Sequence, residues 1–167
     1  LNNQEKLFLK LIQALFFSTS IEGLKEEATE LVLNVVNHFC LLQVITALNE
    51  KRRQPGLFSV DIKQPDICID NEVILGAICY GLCSYLNDSR EMATASIKRI
   101  YENSIVIYGE KLLLTYSFIP SLTKRFIHQC YDEAYYQKSG GVLGIKTLVD
   151  DLDISVDYLR RYQFELI

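Results

Sequence analysis

Apolar residues in this chain recur every three or four positions along nearly its whole length. No comparable stretch alternates with the period of two that a half-buried strand requires. The clearest run is Leu24, Ala28, Leu31, Val32, Val35 and Phe39, which keeps helical spacing toward about Ala47. An earlier stripe comprises Phe8, Leu11, Ile12 and Leu15, and Thr19 with Glu22 three residues on reads as a capping box opening the second helix. Asp70 is placed to cap a third helix carrying Ile74, Ala77, Ile78, Gly81, Leu82 and Tyr85. Asp88 with Glu91 reads as a second capping box, opening a helix through Ala93, Ile97, Ile100, Tyr101, Ser104 and Tyr108. Pro120 suits the first turn of a fifth helix, where its missing N–H is no loss. A sixth helix spans the glycines after Tyr136, and Ser155 caps a seventh with Leu159, Tyr162 and Leu166.

Seven helices and few strand candidates predict an all-α fold. Starts near residues 20, 89 and 133 are 69 and 44 apart. Residues 51–70 hold Pro55, Gly56 and Pro65 without a sustained period and read as a long, mobile loop. Allowing for that loop, both spacings approach the roughly 40–47-residue period of HEAT-type helical pairs. The expected architecture is therefore antiparallel helical hairpins stacked as one HEAT-type α-solenoid segment over residues 1–167, with a closed bundle as the alternative. The chain starts without Met and stops in mid-pattern at Phe164-Glu165-Leu166-Ile167, which predicts a fragment of a much larger chain.

"SGGVLGIK", Ser139 to Lys146, poses the main functional question. A phosphate-binding loop of the GxxxxGK[ST] type needs a strand before it and a lysine directly after its last glycine. Here Ile145 separates Gly144 from Lys146, the first spacing is one residue short, and the preceding stretch is helical in pattern. Ala134, Lys138, Gly141, Ile145, Leu148 and Leu152 instead keep helical steps. Three glycines inside a helix cost roughly 3 kcal/mol against alanine. Bare faces that admit a neighbouring backbone offset such a loss. Gly140, Gly141 and Gly144 are thus expected to be structural helix-packing residues. A nucleotide-binding enzyme using Gly140 to Lys146 is the weaker alternative.

The stretch "FIHQCYDEAYYQKSGGVLGIKTLVDDL" resembles the TRRAP family, the giant transcription adaptors of the PI3-kinase-related group. The resemblance rests on Cys130-Tyr131, Glu133, Ala134, Tyr135-Tyr136, Lys138, Gly140-Gly141-Val142, Ile145-Lys146 and Leu148. "ALFFSTSIEGLKEEA" and the helix from Asn71 are also similar. Residues 51–70 have no match, and Tyr135 stands where the family pattern has tryptophan. The resemblance implies a nuclear, non-catalytic scaffold that builds histone acetyltransferase complexes of the SAGA kind and is recruited by transcriptional activators. Its kinase-like domain, lacking kinase activity, would lie outside these residues. Another HEAT-type interaction scaffold is the second reading.

Other chemistry finds little support. Seventeen basic and twenty-one acidic residues give a net charge of -4, and the one basic run, Lys51-Arg52-Arg53, is too short for a nucleic-acid face. No run of about 18 uninterrupted apolar residues predicts a membrane span. Five cysteines, an odd number lying in apolar stretches, suit buried thiols better than a disulfide framework. Cys79, Cys83, His128 and Cys130 lack the tight knuckles of a zinc site. Asp151, Asp153 and Asp157 lack the glycine and glutamate of a calcium loop. With His38 and His128 the only histidines and no nucleophile setting, neither catalytic residues nor cofactors are expected.

Overall fold

The computed structural model describes residues 1–52 and 69–163. The mobile loop expected at 51–70 lies almost wholly outside the described residues; its first two positions, Lys51 and Arg52, continue a helix. Every regular element among the described residues is helical. In chain order these are α1 (Asn3–Ser18), α2 (Lys25–Arg52), α3 (Glu72–Leu82), α4 (Asn87–Tyr108), α5 (Leu113–Tyr116), α6 (Ile119–Cys130) and α7 (Tyr135–Lys146). A π turn (Thr147–Asp151) follows α7, and α8 is Val156–Gln163.

Local chemistry explains most boundaries. Asn2 Oδ1 accepts from the Glu5 backbone N–H at 2.8 Å while the Glu5 carboxylate accepts from the Asn2 N–H at 2.7 Å, a reciprocal cap for α1. The Asp70 carboxylate accepts from the Glu72 N–H at 2.9 Å, as its position predicts. Pro120 lies in the first turn of α6, and Ser155 Oγ accepts from the Tyr158 N–H at 3.3 Å.

Two expected caps are corrected. Thr19 does not open α2; its hydroxyl turns back and donates to the Phe16 carbonyl at 2.7 Å, closing α1 instead. α2 begins later, at Lys25. Asp88 does not cap α4, which starts at Asn87 with no side-chain cap. Its carboxylate pairs with Lys25 at 2.5 Å, tying the start of α4 to the start of α2. The count of seven helices also falls short, because α5 has only four residues and shows no helical period to read.

The helices stack as hairpins. α1 pairs with α2, and α3 with α4; α1 then lies on α3 and α2 on α4. The third hairpin, α6–α7, is the most intimate contact and rests on α3 through α7. One core runs through the layers, with Ile12, Phe16, Val36, Ile74, Ile78, Ile97, Leu122, Phe126 and Leu148 almost fully buried. Between α2 and α4, at the half-buried edge of the core, Asn103 Nδ2 donates to Asn37 Oδ1 at 2.8 Å.

The α1 stripe is out of phase with expectation. Ile12 and Phe16 are buried, whereas Phe8 and Leu11 are 40% and 54% exposed. α1 is apolar on two sides, and the neighbours α2 and α3 cover only one. Leu24 and Leu31 of the second stripe are likewise about half exposed. Residues Lys25–Ile45 also correct the membrane argument: with a mean hydropathy of 1.4 they are long and apolar enough to span by composition. Here the helix packs instead on α1 and α4, burying Val32, Val36, Phe39 and Cys40.

Candidate functional site

The glycines singled out in the sequence lie along α7, where all three are buried. α7 enters from an extended Ala134, whose N–H donates to the Asp132 carboxylate at 2.9 Å, so the α6–α7 turn is short and closed. The turn folds α7 directly back onto α6.

A Cβ added at Gly140 would lie 2.5 Å from Cys83 Sγ and 3.1 Å from the Cys83 backbone nitrogen. At Gly141 it would lie 2.6 Å from the Phe126 carbonyl oxygen and 2.9 Å from the Cys130 backbone nitrogen. At Gly144 it would meet the Phe126 ring at 2.6–2.7 Å. Gly140 therefore faces the end of α3, while Gly141 and Gly144 face α6. The Gly140–Lys146 stretch lies within α7 and is not a loop between a strand and a helix, which corrects the nucleotide-binding alternative.

The facing helix is thinned in a second way. The Thr123 hydroxyl donates to the Ile119 carbonyl four residues back, at 2.8 Å; Ser96, Ser104 and Thr147 do the same in their own helices. All four are buried, so small polar side chains enter the core with their hydroxyls satisfied. Sequence reasoning placed Ser104 on its helical stripe but missed Ser96, Thr123 and Thr147. Serine or threonine recurring at apolar-stripe positions was the available signal.

Next to Gly140 sits a polar cluster. Gln129 Nε2 donates to Gln137 Oε1 at 2.8 Å and to Cys83 Sγ at 3.4 Å, while the Cys83 thiol reaches Gln137 Oε1 at 3.2 Å. Gln129 Oε1 is buried and accepts no hydrogen bond among the described residues.

The cysteines considered as zinc ligands are free thiols. Burial, together with nearby Cys83, pushes Cys79 up to about 12; Cys40, Cys83 and Cys130 are raised mainly by burial as well. Among the described residues no group of three or more histidine, cysteine or acidic side chains could hold a metal ion. Asp151 pairs with Lys98 at 3.0 Å and Asp157 with Arg160 at 3.1 Å, apart from one another. His38 and His128 are exposed.

A raised folded pKa means the folded state holds the proton more tightly than the unfolded chain. The stability this confers is present below the ordinary thiol value of 9.0 and is lost as pH climbs toward 12. Urea midpoints are expected to fall steadily over that range. At pH 8, iodoacetamide should label the half-buried Cys83 and Cys130 well before Cys40 and Cys79. Equal labelling rates in the folded state would contradict the burial described.

Stacked helical hairpins, the third of them closed by glycines of α7 packed on α6, define a helical-repeat segment. The chain belongs to the Tra1 HEAT repeat ring region family, which matches residues 1–167. It is 50% identical over 165 residues to the SAGA complex/NuA4 acetyltransferase complex subunit TRA1 of Saccharomyces cerevisiae. That similarity covers 99% of this chain and 4% of the much longer yeast protein.

Proposed function

We propose that this chain is a non-catalytic solenoid segment of a nuclear transcription adaptor. The adaptor is a subunit of SAGA-like histone acetyltransferase complexes and is recruited by transcriptional activators. The observation that carries this reading is the 50% identity, over almost the whole chain, to a subunit of two acetyltransferase complexes. The geometry supports it. Gly140, Gly141 and Gly144 act in packing, holding α7 against α6 and α3, and bind no cofactor or metal.

The exposed apolar residues fit a segment that continues into further repeats. Leu7, Phe8 and Leu11 of α1, Leu24 just before α2, and Leu31 and Leu41 within it leave apolar surface uncovered. A helix apolar on both sides is ordinarily buried on both. The preceding hairpin of a larger solenoid is the covering element we propose.

Grafting tests the reading. When this chain replaces its counterpart in the yeast relative, affinity purification should still recover the acetyltransferase subunits. Loss of those subunits from a stably expressed graft would overturn the assignment. Separately, ATP or GTP with magnesium should leave the melting temperature unchanged, whereas a rise of several degrees would favour an enzyme.

A further inference from the structure

We draw no further inference here: the strongest candidate, the apolar recess of about 360 Å³ between α6, α7 and α8 that Ile127, Ile145, Val156 and Leu159 line, is an unpartnered face, and nothing in the structure shows what covers it.

Discussion

Replacing Gly141 with leucine should lower stability by about 1–3 kcal/mol or more, the range expected when extra methylenes are forced into a packed contact. The atoms met first are backbone: the Phe126 carbonyl oxygen at 2.6 Å and the Cys130 nitrogen at 2.9 Å. Backbone atoms inside α6 cannot swing aside as a side-chain tip can, so α6 and α7 must separate. Gly141→Ala makes the finer test. At an open helical site it would gain about 1 kcal/mol from propensity. Here the same Cβ makes the same collision, and a net loss is expected. Urea unfolding of both variants measures the balance. Two variants as stable as the parent would show that α7 does not press on α6.

Phe126→Ala should have the larger effect, about 3–5 kcal/mol, typical of deleting a fully buried phenylalanine. The ring is 0% exposed, and Gly144 provides the space it fills. This complementarity predicts coupling between the two positions. Gly144→Ala alone should destabilise, because its methyl falls 2.6–2.7 Å from the ring. In a Phe126→Ala background the same methyl enters emptied space. The double variant should be more stable than the sum of the single losses implies, by about 0.5 kcal/mol or more. Strict additivity would mean that ring and glycine are independent.

Much of the helical plan was legible because the signals were local. Asp70, Pro120 and Ser155 act within a residue or two of the ends they mark, and short-range chemistry decides them. Thr19 and Asp88 misled for different reasons. Asp88 has a partner that only the folded chain supplies, Lys25, 63 residues away, while Thr19 had two local choices and took the backward one, the Phe16 carbonyl three residues earlier. The phase of α1 was illegible because Leu7, Phe8, Leu11, Ile12 and Phe16 place apolar surface on two sides. Periodicity cannot say which side this segment covers. The glycines of α7 stood out as a helical anomaly, but their partners came from α6 and α3, which spacing could not identify.

The π turn at Thr147–Asp151 carries a consequence for how the chain tolerates changes in length. A wide turn of this kind holds one residue more than the α-helical path between the same points. Each residue advances a helix by about 100°, so that extra residue sets the direction in which the chain leaves the helix for the short non-helical link to α8. Tyr158 now donates to the Leu114 carbonyl at 3.1 Å, clasping α8 to α5 across the intervening helices. Deleting one residue from the π turn would relax it into a regular helix and leave α7 untouched. It would also swing the chain's exit toward α8 by more than a quarter turn, and the short link at 152–155 would have to absorb that change for Tyr158 to keep its carbonyl. The turn thus works as a phase adjuster, and an indel there redirects the chain's exit toward the next helix without unfolding the one before it.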